Sequence, residues 1–476
     1  MNHHPVLAVL IAAAACLSSR SARAAATLDG ASMGWQWAVP FVGMLLSIAL
    51  GPLVFPKLWR RHYGKIAAGW AVLTILPIVL TYGADAALAA VIHAILAEYL
   101  SFIVLLFTLY TIAGGILVTG TMGGTPLTNT AVLAFGTLIA SIVGTTGAAM
   151  ILIRPLIRSN VERTDNAHVV IFFIILVGNV GGALTPLGDP PLFAGFLRGV
   201  DFFWALQNVW MQTALVAGLM FAAFLVLDIW RHRRDVLPPG TAPSAPIRVR
   251  GAINFVLIAL VVASILASAT WKPGVNIDIY GTRIELQTLV REGSLLAIAA
   301  ASLWLTPETH REANDFTWAP IREVATLFAG IFVSIIPVVT MLKAGRSGVF
   351  SWLFSAVSER DGAPHEVAYF WLTGLLSAFL DNMPTYLVFF QLAGGDAREL
   401  MGPFAGTLAS ISMGAVYMGA LTYIGNAPNF MIYAIAQEHG IKMPNFFGYM
   451  LWAAVVLVPL FALLTLLPIA PILKST

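Results

Sequence analysis

The feature that most constrains this chain is a recurring apolar run of about 20 residues, the length a helix needs to cross a bilayer. Such runs fall near residues 35–55, 66–82, 99–118, 168–197, 203–227, 253–269, 293–305, 324–342, 402–436 and 446–469, with charges gathered between them. Two more, 131–153 and 367–390, are interrupted in the middle. Hydrophobic residues make up 59% of the 476 and charged residues only 10%, where a soluble domain carries about 25% charged. No aqueous globule of this size hides so much apolar surface, so membrane lipid is the expected solvent and partner, and nothing points to nucleic acid. The expected fold is an all-α polytopic membrane protein with about ten transmembrane helices and two re-entrant hairpins.

Cysteine and histidine usage narrows the chemistry. The single cysteine, Cys16, excludes disulfides and thiolate metal sites, and the nine histidines show no HxxH or HExxH spacing. No cofactor and no enzymatic centre are expected. At the N-terminus an apolar stretch at 5–17 is too short to span, and Ala22, Arg23 and Ala24 form an A-x-A cleavage pattern. Residues 1–24 therefore read as a cleavable secretory signal. The Ala-rich stretch 84–97, with Asp85, His93 and the neighbouring Glu98, reads as an interfacial helix rather than a span.

Basic residues set the orientation. Lys57, Arg60, Arg61 and Lys65, the cluster Arg154, Arg158 and Arg163, the run Arg231 to Arg250, and Arg311 with Arg322 all fall on one face if both interrupted stretches are re-entrant hairpins. By the positive-inside rule that face is cytoplasmic, and the alternation fails if the stretches are full spans. The expected organisation is N-terminal helices at 35–83 and a first repeat at 98–230 with its hairpin near 131–153 and broken helix near 168–197. A cytoplasmic linker at 231–250 and connecting helices at 253–305 follow. The second repeat is expected at 322–470, with its hairpin near 367–390 and broken helix near 402–436. The localisation implied is the cytoplasmic membrane of a bacterium.

An internal repeat supports this division. The pattern G-A-L-T-x-[LI]-G-[DN]-x-P occurs at 182–191, with Thr185, Pro186, Gly188, Asp189 and Pro190, and again at 419–428, with Thr422, Gly425, Asn426 and Pro428. Upstream, Ser141 to Ala149 aligns with Ser377 to Thr385, which sets Thr145 and Thr146 against Asp381 and Asn382, with Pro384 close behind. Five spans separate the two hairpins, and an odd number means that the repeats enter from opposite faces. Glycine and proline in mid-membrane interrupt the helical hydrogen-bond ladder, and the freed backbone groups must line an enclosed cavity. Thr, Asn and Asp side chains add oxygens there, which suits a hard cation such as Na⁺.

An acid at membrane depth costs about 2.5–3.5 kcal/mol on insertion scales, so Asp189 and Asp381 are ion-ligand candidates. Asp189 also stands where a helix N-cap is expected after the break. Asn179 and Asn429 flank the breaks and can equally be packing groups. Arg198, Lys343 and Arg346 at helix ends read as snorkelling side chains.

Two breaks and two hairpin tips resemble the ion transporter superfamily over roughly residues 98–470. That group includes divalent anion/sodium symporters, citrate transporters, arsenite pumps of the ArsB type and NhaD-type sodium/proton antiporters. The Ser-Asn-Thr tips of its symporters are absent here. The tip Leu380, Asp381, Asn382, Met383, Pro384 is instead similar to the D-N-x-P pattern of NhaD-type antiporters, as is the break through Pro186, Gly188 and Asp189. The resemblance implies secondary transport by alternating access, a homodimer as in other members, and small ions or a small carboxylate as cargo. The expected mechanism has Asp189 and Asp381 binding H⁺ or Na⁺ (or Li⁺) in alternation, with Asn382, Thr145, Thr146, Thr185, Thr422, Asn426 and break carbonyls completing the shell. The alternatives are sodium-coupled uptake of citrate or another dicarboxylate on the same fold, arsenite extrusion, and, from another class, an intramembrane aspartyl protease. For the protease, Pro186 stands where G-x-G-D needs glycine and no tyrosine precedes Asp381.

Overall fold

The computed structural model describes residues 28–120, 123–234, 246–359 and 362–466. The expected signal segment 1–24 lies outside the described residues. Helices α1 (Val39–Val54) and α2 (Pro56–Tyr82) lead to a long helix, α3 (Ala84–Gly114). A hairpin of α4 (Pro126–Val143) and α5 (Thr145–Ser159) follows. The next helix is broken into α6 (Ala167–Leu176) and α7 (Pro190–Leu197). Then come α8 (Trp204–His232), α9 (Ile253–Thr270), α10 (Leu286–Leu305) and the consecutive α11 (Ala319–Ser334) and α12 (Ile336–Lys343). A second hairpin, α13 (Glu366–Leu380) and α14 (Asn382–Leu392), precedes a second broken helix, α15 (Ala405–Met418) and α16 (Ala427–Glu438), and α17 (Phe446–Thr465) ends the described chain. Among the described residues nine helices are long and apolar enough to cross a membrane. One of these is the hairpin arm α4. The fold is an all-α polytopic membrane protein.

Strands are incidental. β1 (Leu117–Thr119) pairs antiparallel with β2 (Arg248–Arg250), and β3 (Asn276–Ile279) with β4 (Thr282–Glu285). The first pair ties the end of α3 to the stretch expected to be a free linker. That stretch is therefore anchored at 248–250, and its residues 235–245 lie outside the described ones.

The segment 84–97 departs from the expectation of a separate interfacial helix. It runs on through a π-helical turn, Ala94–Tyr99, into the rest of α3. The two acids that suggested an interface are partnered: Asp85 accepts a hydrogen bond from the Tyr280 hydroxyl at 2.9 Å, and Glu98 pairs with Arg198 at 2.9 Å. Arg198 is thus held in an ion pair across elements instead of snorkelling alone. With those charges met and alanine favouring helix, nothing stops α3 from continuing.

Packing falls into two groups. α1, α2 and α11 pack on one another, as do α3, α9 and α10. The hairpins and broken helices form the other group, and they interlock crosswise: α7 of the first repeat packs on α14 of the second, and α16 of the second on α5 of the first. The first hairpin is further held at its base by a buried polar knot. Asp228 on α8 pairs with Arg163 at 2.6 Å, lies 2.8 Å from His168 Nε2 and accepts from Asn129 Nδ2 at 3.0 Å. Asn129 and Asn160, at the two ends of the hairpin, exchange amide hydrogen bonds at 2.9 and 2.8 Å. Each of these side chains has a partner inside the protein, as burial requires, although the second ring nitrogen of His168, Nδ1, makes no hydrogen bond with the described residues.

Candidate ion-binding site

Each hairpin turns at one residue with positive φ. In the first it is Gly144 (φ 81°, ψ 152°), in the second Asp381 (φ 75°, ψ 144°). Glycine occupies this region freely, and an L residue does so only under strain. The tips therefore superimpose Gly144 on Asp381 and Thr145 on Asn382, one residue away from the alignment expected from sequence. One offset of 237 residues then relates the tips, Thr185 to Thr422, Gly188 to Gly425, and Asp189 to Asn426. Alignment by the shared serines missed this, because backbone geometry and not residue identity sets where the chain turns.

The breaks are pinned by their threonines. Thr185 Oγ1 donates to the carbonyl of Ser141, and Thr422 Oγ1 to the carbonyl of Ala378, each on its own hairpin's first arm. These two threonines brace the broken segments, and neither lines the two cavities at the hairpin tips. At the first break, Gly188 packs against Gly182, and a Cβ at Gly188 would stand 2.2 Å from the Gly182 carbonyl oxygen. At the second, Gly425 packs against Gly419 in the same way, at 2.6 Å. Pro190 and Pro428 sit in the first turns of α7 and α16, where a missing N–H costs no helical bond. Pro384 stands in the first turn of α14, and Pro186 lies in the non-helical stretch of the first break.

Crosswise packing brings the centre together. Asp189 is buried (1% exposed), and its side chain does not cap α7 although the residue occupies the cap position. It points instead to the other repeat. Its Oδ2 accepts from Asn382 Nδ2 at 2.7 Å, and its Oδ1 from Asn426 Nδ2 at 3.1 Å and Thr145 Oγ1 at 3.3 Å. Thr145 is held by its backbone N–H, which donates to the Gly188 carbonyl at 2.9 Å. The Ser377 hydroxyl donates to Asn382 Oδ1 at 2.8 Å, which aims the Asn382 amide at Asp189. The carboxylate is thus satisfied by neutral donors alone, and among the described residues it has no ion-pair partner.

Two flanking asparagines belong to the same network. Asn179 Nδ2 donates to Asn429 Oδ1 at 2.7 Å, and Asn429 Nδ2 to the carbonyls of Gly419 at 2.9 Å and Thr422 at 3.1 Å. They join the two breaks to each other. The signal that could have separated them from packing groups was their placement, Asn179 within the first break and Asn429 in the first turn after the second.

Asp381 sits apart from this quartet. Its side chain accepts from the Met383 N–H at 3.3 Å and lines two adjoining cavities. The smaller, about 80 Å³, is bordered by Thr145, Thr146, Gly188 and Asn426 as well. Thr146 makes no side-chain hydrogen bond with the described residues. The larger, about 470 Å³, runs along α16 toward Glu438, with Arg154 and Asp315 also in its wall. Asp315 is 71% exposed and pairs with Arg154 at 3.1 Å, so this cavity reaches the surface there and its one basic lining residue is already engaged.

An uncharacterized transporter of Synechocystis sp. is 24% identical over 346 residues, covering 67% of this chain and 72% of the relative. The crystal structure of the Alcanivorax borkumensis YdaH transporter aligns over 91% of this chain and 100% of that one, at 14% identity and a TM-score of 0.39. A sequence family described as "Putative citrate transport" matches residues 30–469. The chain, an integral membrane transporter and not an enzyme, belongs to that family.

Proposed function

We propose that the protein is a secondary transporter of the bacterial cytoplasmic membrane that exchanges Na⁺ (or Li⁺) for H⁺, with the cation bound between Asp189 and Asp381. One observation carries this reading. Asp189 is buried among neutral donors from both repeats, beside a second acid that lines the cavities, and among the described residues no basic side chain pairs with either. An uncompensated charge at that depth is costly. A proton or a sodium ion each relieves it, and the two compete for the same oxygens, which makes exchange obligatory. Asn382, Asn426 and Thr145 report the state of Asp189 to both repeats. A change of ion there bears on how the crosswise pairs α7–α14 and α16–α5 sit together, which is the coupling that alternating access needs.

A second reading, sodium-coupled uptake of citrate or a similar carboxylate, is favoured by the family description and by Arg154 in the wall of a cavity roomy enough for a small anion. In that reading Na⁺ still occupies the acids. Everted vesicles separate the two. Added NaCl dissipates a preformed ΔpH in the antiporter, and the response disappears in Asp381→Asn. Sodium-dependent citrate accumulation without a ΔpH response would replace the first reading by the second.

A further inference from the structure

The larger cavity holds an acid that the exchange between Asp189 and Asp381 does not use. Glu323, in the first turns of α11, lines the cavity together with Asp381 and Asn426. It is half-buried, and its Oε1 accepts a hydrogen bond at 3.2 Å from the indole Nε1 of Trp59, itself only 5% exposed. Its other oxygen makes no hydrogen bond or ion pair with the described residues. Pro320, one turn earlier on the same helix, lines both the large cavity and the small one at the hairpin tips.

The surroundings single this residue out. Of the ionisable groups in the cavity wall, Arg154 and Asp315 neutralise each other at the mouth, and Glu438 is exposed at the far end of α16. Glu438 is twelve residues from Asn426, which places the mouth about 18 Å from the centre along that helix. Between mouth and centre the other lining residues on α11 and α16 are apolar: Val324, Leu327, Phe328, Ala427, Met431 and Ala434. The wall's other oxygen-bearing residues outside those two helices, Tyr110 and Thr317, are neutral and bonded to each other, the Tyr110 hydroxyl donating to the Thr317 carbonyl at 2.7 Å, so among the described residues Glu323 is the carboxylate a bare cation meets between mouth and centre. The Trp59 hydrogen bond fixes one carboxylate oxygen and holds the group in the wall, so the acid is positioned for the cavity and not for a protein cation. A carboxylate in a low-dielectric channel raises the local concentration of cations.

We infer that Glu323 is a relay site for the transported cation, a monovalent ion that it holds on the way between the surface at Asp315 and Glu438 and the central acids. The inference rests on the cation reading of the centre and adds to it a residue acting from one side of the membrane only.

The test is radioactive sodium flux in right-side-out and inside-out vesicles, with sodium supplied from each side in turn. Glu323→Gln is expected to raise the apparent KM for Na⁺ on the cavity side by about 10-fold, with the maximal rate and the KM from the opposite side unchanged. Glu323→Asp should recover most of the affinity, and Trp59→Phe should shift the same KM in the same direction by a smaller factor. A KM unchanged on both sides in Glu323→Gln, or raised equally on both, overturns the relay. The Asp381→Asn control separates the two claims. If it keeps full sodium flux, the central site itself is misassigned. If it abolishes flux while Glu323→Gln shows no sided effect, only the relay fails.

Discussion

Asp381 is held in a backbone region that glycine alone occupies at ease, at the tip where the first repeat has Gly144. A residue kept there costs about 1–3 kcal/mol, and such strain persists at sites where the side chain is needed. Two substitutions remove the same carboxylate and its bond to the Met383 N–H but differ in whether a Cβ remains. Asp381→Ala keeps the strain, while Asp381→Gly relieves it and pays about 0.4–1 kcal/mol in the greater freedom of the unfolded chain. Asp381→Gly should therefore be more stable than Asp381→Ala by about 0.5–2 kcal/mol. Thermal unfolding of the purified proteins in detergent reads the difference. One kcal/mol moves the midpoint by about 2–4 °C in a 150–250-residue domain and by less in a longer chain. Both variants should lose sodium-dependent ΔpH dissipation. An alanine variant that melts at or above the glycine variant would refute the idea that the tip is strained for the sake of its carboxylate.

Other outcomes follow from the same geometry. Gly188→Ala drives a Cβ against the Gly182 backbone at 2.2 Å, where Gly425→Ala meets Gly419 at 2.6 Å; overpacking of this kind costs about 1–3 kcal/mol, so the first variant should show the lower melting temperature and the larger loss of transport. Asn382→Ala takes the 2.7 Å donor from Asp189 Oδ2 and should cost about 1–3 kcal/mol in unfolding measurements, along with sodium exchange in vesicles. Thr145→Val should weaken exchange, while Thr146→Val, which breaks no hydrogen bond, should unfold within about 0.5 kcal/mol of the wild type. Asp228→Ala removes the carboxylate shared by Arg163, His168 and Asn129; breaking a buried pair costs about 3–5 kcal/mol, and the expected result is low yield of folded protein by size-exclusion chromatography, with no special defect in sodium affinity for what does fold.

Local signals made much of the architecture legible. The lengths of the apolar runs marked the spans, Gly and Pro marked the interruptions at 177–189 and 419–426, and the repeated G-A-L-T motif tied the two breaks together. The reading failed where a local pattern met a distant partner. The stretch 84–97 looked interfacial because Asp85 and Glu98 carry charge, yet Tyr280 and Arg198 meet those charges from far along the chain. The hairpin register slipped by one because matched serines outweighed a φ angle that sequence does not display. The Asp228 knot passed unnoticed because its members are spread from Asn129 to Asp228 with no common spacing.

The candidate site divides along the same line. From sequence alone come the two acids in apolar surroundings and the residue types beside them, since the cost of placing charge in lipid is a property of each segment by itself. Only the tertiary structure decided that Asp189 turns away from its own helix to accept bonds from Asn382 and Asn426, 193 and 237 residues away, and that Asn179 meets Asn429 across 250. It also decided that Thr185 and Thr422 brace the breaks, and that Asp381 and Glu323 share one cavity. The physical reason is the crosswise packing of α7 on α14 and α16 on α5. Contacts between repeats leave no period in either one, and they exist only once both halves have folded against each other.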